Sequence, residues 1–228
     1  MSPPPGHELD PGGRGALEKV LALLAEERAS VSSVTEPGRA WRVHVDDSLT
    51  GLEVEPLAGA SRIADIGSGA GFPGLVLAVA LPAAQVKLVE SVGRKCEFMR
   101  RAIAAAGIDN AEVVNARSEE LAAGTGRERF DAVTVRAVGR LSTLAELASP
   151  LLREGGALIA WKGRRDEEEE LELERAAEAL AMEPERILAV GPYAGSRHRH
   201  LHVMRKSGET PADLPRRPGM AKKRPRGS

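Results

Sequence analysis

The chain has 228 residues, of which 42% are apolar and 29% are charged, and its formal net charge at pH 7 is −1. This balance is typical of a globular domain with a core of ordinary size, and it excludes a uniformly polycationic protein. A single cysteine, Cys96, excludes an internal disulfide framework and a cysteine-cage metal site. No apolar run of about 18 residues is present, and the stretch MSPPPGHELDPGGRG lacks the apolar core of a secretory signal, so we expect a cytoplasmic protein with no membrane span.

The first 60 residues predict a mainly helical region. Residues 1–15 are rich in proline and glycine and show no periodicity, so we expect them to be disordered. An amphipathic helix is predicted in ALEKVLALLAEERA by the apolar residues at helical spacing, Leu17, Val20, Leu21 and Leu24. The stretch EPGRAWRVHVDDSLTGL indicates a turn and a second short helix. We therefore interpret residues 16–60 as a helical N-terminal extension.

From residue 61 onward, short apolar segments alternate with helical patterns. Strands are predicted in RIADI, QVKLVE, AEVVNA, FDAVTVRA and GALIAWKG. Helices are predicted between them at Pro73–Leu81, Arg94–Ala106, Ser118–Ala123 and Ser142–Arg153, the last ended by the Gly155-Gly156 pair. This alternation favours a parallel sheet covered by helices on both faces. A further helix in DEEEELELERAAEALAM precedes ERILAV and RHLHVMRK, which predict a closing antiparallel pair and complete a domain of residues 61–206.

The C-terminal segment, residues 207–228, differs in composition from the rest. From Arg205 to Ser228, eight basic residues stand against two acidic ones, which gives a local charge of +6. The prolines and charges of LPRRPGMAKKRPRGS predict a flexible basic arm that buries almost nothing. Such an arm indicates a polyanionic partner.

The stretch IADIGSGAGFPG carries a glycine-rich turn between the first predicted strand and its helix. It contains G-x-G-x-x-G at Gly69, Gly71 and Gly74, and Glu90 follows 21 residues after Gly69, at the end of the second strand. A plain tight turn is one interpretation. An acid at this place can also accept the two ribose hydroxyls of an adenosine, so the combination favours a nucleoside site.

The charge of Asp65 bears on which nucleoside binds. In a dinucleotide site, a pyrophosphate lies over the glycines at the helix N-terminus. A carboxylate a few ångströms away would repel it by roughly 1–4 kcal/mol. S-adenosylmethionine (AdoMet) carries no phosphate and brings a sulfonium and an ammonium group, which Asp65 would attract. The frame D-x-G-x-G-x-G, with Gly67 first among the glycines, therefore predicts AdoMet rather than a dinucleotide.

Several motifs together resemble one bacterial family. IADIGSGAGFPGLVLAVALP, VKLVESVGRKCEFMR, FDAVTVRAV and LIAWKG resemble the glucose-inhibited division protein B family, and RVHVDDSL and LPRRPGMAKKRP are similar to its flanking motifs. The resemblance covers roughly residue 30 to the C-terminus. It implies an AdoMet-dependent methyltransferase that modifies N7 of one guanine in 16S ribosomal RNA. The implied fold is α/β, a class I methyltransferase with a Rossmann-like seven-stranded sheet, an antiparallel last strand and a short helical N-terminal extension.

The resemblance also implies roles for individual residues. Gly67 and Phe72 match loop positions around AdoMet. Ser118 and Glu119 match the pair beside the adenine, and Arg136 matches an arginine at the methionine end. The complete predicted cofactor site is Asp65, Gly67, Gly69, Phe72, Glu90, Ser118, Glu119 and Arg136. The chain departs from the family at Ser30-Val31-Ser32, where the family has Asn-Leu-Thr, which leaves N-terminal RNA contacts open.

The chemistry of guanine N7 needs no general base, because this nitrogen has a free in-plane lone pair. Proximity and alignment can therefore carry most of the rate. In agreement, the sequence shows no nucleophile–base pair, and VRAVGRL stands where an N/D-P-P-Y box would follow the fourth strand. Arg136 is the predicted catalytic residue, which would align the methyl group with the base. A surface arginine at a strand end is the alternative.

RNA contacts are predicted around the same sheet edge and in the C-terminal segment. Lys162 follows the fifth strand and either holds an RNA phosphate or is a solvated lysine. His44 and Asp47 share one helix face, where a hydrogen-bonded helix end is the alternative to an RNA role. Arg199 and His200 fall where the family has Arg-His. The complete predicted RNA-binding set is His44, Lys162, Arg199, His200, Arg216, Arg217, Lys222 and Lys223.

No metal site is predicted. His198, His200 and His202 in RHRHLH have the ligand type of zinc, but no fourth ligand is evident. The expected partner is 16S rRNA or the small ribosomal subunit, with no membrane and no protein partner. Two alternative functions are a methyltransferase for a small molecule or protein, and an RNA- or ribosome-binding factor that uses AdoMet only structurally.

Overall fold

The computed structural model describes residues 9–27, 34, 36–136 and 139–228. Of the segment predicted to be disordered, residues 1–8 lie outside this description, as does the Ser30-Val31-Ser32 departure. Residues 11–15 are helical, so the prediction of disorder is wrong there. The reason is local: Asp10 caps the helix by accepting the Gly13 N–H at 2.6 Å, and Pro11 occupies the first helical turn.

The region before the first strand is mainly helical where it is described, and its helical turns follow one another closely from Pro37 to Ala58. Helix α1 (Pro11–Glu26) is followed by α2 (Pro37–Ala40), a π-helical turn (Trp41–Asp46), α3 (Asp47–Leu49), a 3-10 turn (Thr50–Glu53) and α4 (Glu55–Ala58). The second predicted helix is confirmed, with a π-helical turn at its centre. Such turns frequently occur at functional sites.

The sheet has seven strands, and its last strand runs against the others, as predicted. The strands are β1 (Arg62–Ile66), β2 (Gln85–Glu90), β3 (Ala111–Asn115), β4 (Phe130–Arg136), β5 (Leu152–Lys162), β6 (Met182–Ala189) and β7 (His200–Lys206). Their order is β3-β2-β1-β4-β5-β7-β6. Strands β1 to β5 pair in parallel, and β7 is antiparallel to both β5 and β6.

Helices cover both faces of the sheet, because the strands are apolar on both sides. The remaining helices are α5 (Gly74–Ala80), α6 (Gly93–Ala106), α7 (Ser118–Ala123), α8 (Leu141–Ala148), α9 (Glu167–Leu180) and α10 (Met220–Lys223). On one face, α1, α5 and α6 share a core with Ile63 and Leu88 of the sheet. On the other face, α8 and α9 pack over Val133 and Leu158. The N-terminal helices are thus a layer of the domain core.

Two predicted boundaries within the domain are wrong. Helix α8 ends at Ala148 rather than at Arg153, and β5 begins at Leu152, before the glycine pair that was expected to end the helix. Gly156 fits in the strand because its backbone packs closely against the adjacent strand β4 and against Arg153. A Cβ there would meet the carbonyl oxygens of Arg153 and Asp131 at 2.9 and 3.0 Å.

The C-terminal segment packs on the domain, so the prediction of a flexible arm is wrong. Leu214 and Ala221 are buried, with 3% and 2% of their surface exposed. Arg127 donates a hydrogen bond to the Leu214 carbonyl oxygen at 2.9 Å. The guanidinium of Arg216 forms two hydrogen bonds, of 2.6 and 2.5 Å, with the Glu146 carboxylate in α8. Within the described residues, no helix combines the length and apolar character that a membrane crossing requires.

Candidate functional site

The carboxyl ends of the five parallel strands meet at one side of the sheet, which we call the ligand edge. These strands end at Ile66, Glu90, Asn115, Arg136 and Lys162. Strand β7 begins at the same edge, since its first residue pairs with the last residue of β5. Open α/β sheets bind their ligands at this edge.

The glycine turn after β1 has the conformation that its sequence predicts. Gly67 and Gly69 adopt φ values of +66° and +61°, which side chains other than glycine rarely allow. Gly74 opens α5 close to β1, where an added Cβ would lie 2.9 Å from the Asp65 Oδ2 atom. The turn therefore needs glycine for its conformation at Gly67 and Gly69 and for close packing against β1 at Gly74.

Asp65 is inside the protein rather than on the cavity surface. It is fully buried; its Oδ2 accepts the Gly74 N–H at 3.1 Å and its Oδ1 accepts the Thr134 hydroxyl at 3.0 Å. Burial raises the pKa of this carboxyl to about 6. We conclude that Asp65 ties the glycine turn to β4. A buried Asp65 whose two carboxylate oxygens both have protein partners does not support the predicted direct attraction of a ligand.

A cavity of about 240 Å³ lies over the ends of β1, β2 and β4, and we call it the nucleoside cavity. Gly67, Glu90, Ser118 and Glu119, four of the predicted cofactor residues, line it. Glu90 accepts the N–H groups of Gly69 and Val92 at 3.1 and 2.9 Å. A carboxylate has about four lone-pair sites, so these two bonds leave acceptor capacity on Glu90. Such capacity suits the two hydroxyls of a ribose.

One wall of the nucleoside cavity comes from the C-terminal segment. Gly219, Ala221 and Lys222 line it. The Gly219 N–H donates to Glu119 Oε1 at 2.8 Å, and the Thr143 hydroxyl donates to the Ala221 carbonyl oxygen at 3.3 Å. A segment whose predicted role was RNA binding alone therefore helps to shape the nucleoside cavity.

Arg136 is held at the end of β4 by the N-terminal helices. Its guanidinium donates to the Val43 carbonyl oxygen at 3.0 Å, to Asp47 Oδ2 at 3.3 Å and to His44 Nδ1 at 3.2 Å. The same group lies 5.8 Å from the centroid of the Phe72 ring. Since Arg136 is mostly buried and fixed by three partners, the alternative of a surface arginine does not hold.

His44, which accepts one of the Arg136 hydrogen bonds, is itself buried. Its ring stacks on Phe72 with centroids 4.6 Å apart, and its Nε2 lies 3.2 Å from the Val34 carbonyl oxygen. Arginine can only donate, so Nδ1 accepts and Nε2 carries the proton of a neutral imidazole. Burial and the nearby Arg136 charge lower the pKa of His44 to about 4. The geometry favours a hydrogen-bonded positioning role over the predicted RNA contact.

A second cavity, of about 300 Å³, opens beside Arg136, and we call it the substrate cavity. Asp47, Trp161, Arg199 and His200 contribute to its wall. Gly139 lines both this cavity and the nucleoside cavity, so the two are neighbours along the ligand edge. Trp161 is fixed by a hydrogen bond from its indole N–H to the Asp47 carbonyl oxygen at 2.9 Å.

The predicted RNA contacts in the substrate cavity have different surroundings. Lys162 donates to the Gly139 carbonyl oxygen and to the Glu169 carboxylate at 3.0 and 2.6 Å, so it is neither solvated nor a free phosphate ligand. His200 Nδ1 lies 2.8 Å from the Gly163 carbonyl oxygen. Arg199 forms no side-chain hydrogen bond or ion pair with a described residue and is partly exposed, so it suits a phosphate contact better than Lys162 does.

The basic residues of the C-terminal segment fall into two groups. Arg216 pairs with Glu146, and Arg226 pairs with Asp213, so these charges are used within the protein. Four basic side chains are exposed: Arg217, Lys222, Lys223 and Arg224. Of the four tail residues predicted to bind RNA, the structure therefore leaves three accessible.

The histidines of β7 and the cysteine have no part in a metal site among the described residues. No group of three or more His, Cys, Asp or Glu there could hold a metal ion. His202 is buried within the fold, and burial lowers its pKa to about 4. Cys96 is also buried, and its thiol donates to the Glu90 carbonyl oxygen at 3.2 Å.

Sequence reasoning missed three parts of the site. No role was predicted for Trp161, and Asp47 was considered only together with His44 on one helix face, although both Trp161 and Asp47 line the substrate cavity. The Gly219–Lys222 turn was not predicted to line the nucleoside cavity. A tryptophan at the end of a strand, directly before the lysine that was singled out, was the available signal. For the turn, neither periodicity nor spacing offered one.

Comparisons with known proteins agree with this geometry. The family model described as rRNA small subunit methyltransferase G matches residues 16–201. A ribosomal RNA small subunit methyltransferase G of Rubrobacter xylanophilus is 41% identical, over 96% of this chain and 88% of that protein. The protein of the same name from Pelotomaculum thermopropionicum is 39% identical, over 91% of this chain and 88% of its own length.

Solved structures show the same fold at low identity. The fibrillarin pre-rRNA processing protein of Methanococcus jannaschii has a TM-score of 0.56 at 18% identity, over 80% of this chain and 77% of its own. Aeropyrum pernix fibrillarin, solved with natively bound S-adenosyl-L-methionine, has a TM-score of 0.55 at 14% identity, over 70% of this chain and 72% of its own. These likenesses show the fold alone.

Proposed function

The chain belongs to the rRNA small subunit methyltransferase G family, and on that premise we propose that it transfers a methyl group from AdoMet to N7 of a guanine in 16S rRNA. The single observation that carries this proposal is the pair of neighbouring cavities at the ligand edge, joined at Gly139. One suits a nucleoside and the other is lined by cationic side chains. A methyl donor and an RNA base can therefore meet between them.

The nucleoside cavity fits the adenosine half of AdoMet. Glu90 would hold the ribose hydroxyls with its remaining acceptor capacity, and Ser118 and Glu119 would lie beside the adenine. The glycine turn lets a ligand approach the backbone, and the buried carboxylate of Asp65 disfavours a pyrophosphate there. Lys222 at the cavity wall is exposed, so solvent and salt screen its attraction for a phosphate more than they screen the repulsion from the buried Asp65 carboxylate.

Arg136 is the residue to which we assign alignment of the reaction. When bound, AdoMet supplies a methyl group on a positively charged sulfur. A guanidinium has five N–H donors, and three protein contacts leave others for a ligand. Those donors can hold a carboxylate at the methionine end, while Phe72 and His44 fix the plane of the guanidinium. Because N7 loses no proton, fixed alignment is the main contribution that the chain has to make.

RNA contacts follow from the accessible cations around the substrate cavity. We propose that Arg199 binds a phosphate beside the target nucleotide, with His200 next to it. Arg217, Lys222 and Lys223 would contact phosphates from the other side of the ligand edge. Only 3% of the residues are aromatic, too few for an extended stacking platform, so phosphate contacts and shape would dominate binding.

Transfer of a labelled methyl group tests this function. The protein would be incubated with labelled AdoMet and with 16S rRNA, or small subunits, from cells that lack the enzyme. We expect incorporation at one guanine, and strand cleavage after borohydride and aniline treatment would identify N7. AdoMet should also raise the melting temperature while NAD does not; saturation at about 100 times the Kd adds about 2.7 kcal/mol of stability. Label in protein or small molecules alone, or stabilisation by NAD only, would refute the proposal.

A further inference from the structure

Asp47 has one carboxylate oxygen whose partner the fold does not supply. The side chain is almost fully buried, with 4% of the residue surface exposed. Its Oδ2 accepts a hydrogen bond from Arg136 at 3.3 Å, whereas Oδ1 has no hydrogen-bond partner among the described residues. A buried acceptor without a donor is unfavourable, and in a native protein it calls for an explanation.

The position of Asp47 is fixed, so this unpaired oxygen is not a result of a loose side chain. The Asp47 carbonyl oxygen accepts hydrogen bonds from the Trp161 indole at 2.9 Å and from the Thr50 hydroxyl at 2.7 Å. Its carboxylate is held on one side by Arg136. These contacts hold Asp47 in place at the wall of the substrate cavity.

Asp47 is also chemically distinct within the substrate cavity. Among the described residues of that wall it is the one acidic side chain, and the charged residues beside it are Arg136, Lys162 and Arg199. The basic side chains suit phosphates and base acceptors. An acidic side chain suits a group that offers hydrogen-bond donors. Among the edges of the bases, guanine offers two adjacent donors, its N1–H and its 2-amino group.

We propose that Asp47 recognises the target guanine by accepting hydrogen bonds from its N1–H and 2-amino group inside the substrate cavity. This inference rests on the proposed function and assigns its base specificity. The cavity, at about 300 Å³, is at the lower end of the size range of small-molecule sites. It therefore suits one extruded base rather than a run of nucleotides.

The same contact strengthens as methyl transfer proceeds. The N7 lone pair forms the new bond to the methyl carbon, and the electron pair of the breaking carbon–sulfur bond stays on sulfur, which becomes a neutral thioether. The positive charge passes to the purine, no proton moves, and N1–H becomes more acidic. A fixed carboxylate at that edge thus stabilises the transition state more than the ground state.

The test couples a change in the enzyme to a change in the base. Small-subunit rRNA would be assembled by ligation with either guanosine or inosine at the methylated position, since inosine lacks the 2-amino group. We expect the wild-type protein to prefer guanosine by about tenfold to a hundredfold in kcat/KM, because inosine removes one of the two hydrogen bonds to the charged carboxylate. In Asp47→Asn the preference should fall to about onefold to threefold. Asp46→Asn, a neighbour outside the cavity wall, should keep the full preference.

The ratio of the two substrates separates recognition from a structural effect. A variant that is partly unfolded loses activity on both substrates equally, so its ratio is unchanged. An unchanged ratio in Asp47→Asn would overturn the proposal, and a loss of AdoMet affinity with the ratio intact would show that Asp47 serves the cofactor instead. If wild-type protein methylates neither RNA at N7, the proposed function fails rather than this contact.

Discussion

Two regions of the molecule build the nucleoside cavity in different physical ways. The glycine turn is held by neighbours in the sheet, with its backbone tied to Asp65 and Glu90 and its helix packed in the core. The C-terminal segment reaches the same cavity through polar contacts with distant residues: Gly219 binds Glu119, 100 positions earlier, and Arg216 binds Glu146, 70 positions earlier. The first region belongs to the core of the domain, whereas the second is attached by the buried side chains of Leu214 and Ala221 and by polar contacts that single substitutions can remove.

Truncation of the chain after Lys206 should have the largest effect, because it removes one of the two regions that build the nucleoside cavity. We expect AdoMet affinity to fall at least about tenfold, a free-energy loss of about 1.4 kcal/mol, because one cavity wall is lost. Stability should fall by about 4 kcal/mol or more, since Leu214 is no longer buried and Glu146 loses its partner. Titration calorimetry and denaturant melts measure both effects.

The matched control for the truncation is Arg217→Gln/Lys223→Gln, which removes exposed charge and keeps the docking residues. It should bind AdoMet like the wild type. If the truncated chain also binds AdoMet normally, the segment is an independent arm and the two regions do not share one site.

A single substitution, Arg216→Ala, tests the attachment more selectively. The Glu146 side chain is 3% exposed, so its charge would lose its closest partner inside the protein. Breaking a buried ion pair in this way costs about 3–5 kcal/mol. Adding Glu146→Leu should restore most of the stability, because no charge is then left buried. Equal melting temperatures for wild type and Arg216→Ala would show that the attachment lies elsewhere.

In the region of the glycine turn, Glu90→Ala should weaken AdoMet binding without detaching the C-terminal segment. Hydrogen bonds to a charged acceptor contribute about 1.5–3 kcal/mol, which corresponds to a Kd about 10 to 150 times higher. Glu112→Ala on the neighbouring strand is the control, since that carboxylate is exposed and pairs with Lys87. Unchanged affinity in Glu90→Ala would remove this residue from the cofactor site.

Acid should destabilise the protein where His44 stacks on Phe72 of the glycine turn. A histidine whose folded pKa is lowered contributes stability above its ordinary pKa of 6.5, and this stability is lost as the pH falls toward about 4. His202 behaves in the same way. Each imidazole accounts for about 1.4 kcal/mol of lost stability per pH unit in this window. Denaturant melts from pH 7 to 4.5 should show a shallower loss for His44→Asn, whereas His198→Asn, at an exposed histidine, should follow the wild type.

Salt sensitivity is the smallest effect and belongs to the C-terminal segment. If Arg217 and Lys223 each contact one phosphate, their removal should flatten the log–log salt slope of rRNA binding by about 1.4 units, at about 0.7 per single-strand contact. The pair Arg62→Gln/Arg129→Gln, at the opposite edge of the sheet, removes the same charge. Equal slopes for both pairs would mean that the exposed cations of the segment do not touch RNA.

Much of the fold could be predicted because its signals are local. The apolar strands and the helical spacing of Leu17 and Leu24 follow from patterns within single elements, and the structure confirms them. The antiparallel last strand, which the structure also confirms, was implied by the family resemblance. The position of Glu90 is a second example, since strand ends and sheet edges can be counted along the chain. Gly155 and Gly156 misled the boundary of α8 because glycine interrupts helices and also allows close packing in strands.

The parts that escaped prediction depend on contacts between distant residues. Arg216 in the sequence is one cation among eight, and only the fold shows that it pairs with Glu146 while Arg217 faces solvent. Lys162 was singled out correctly as a residue of the ligand edge, but its partner Glu169 comes from the next helix. Charge composition indicates the kind of partner that a segment prefers, and it does not tell whether that partner lies inside the protein.

A crystal structure of the protein with S-adenosylhomocysteine bound tests the central claim most directly. We predict that the ribose lies against Glu90, the adenine lies between Glu119 and the Gly219–Lys222 turn, and the amino-acid end points toward Arg136. The C-terminal segment should remain attached through Arg216 and Glu146. A ligand bound outside the nucleoside cavity, or a segment displaced from its wall with the ligand in place, would contradict the account.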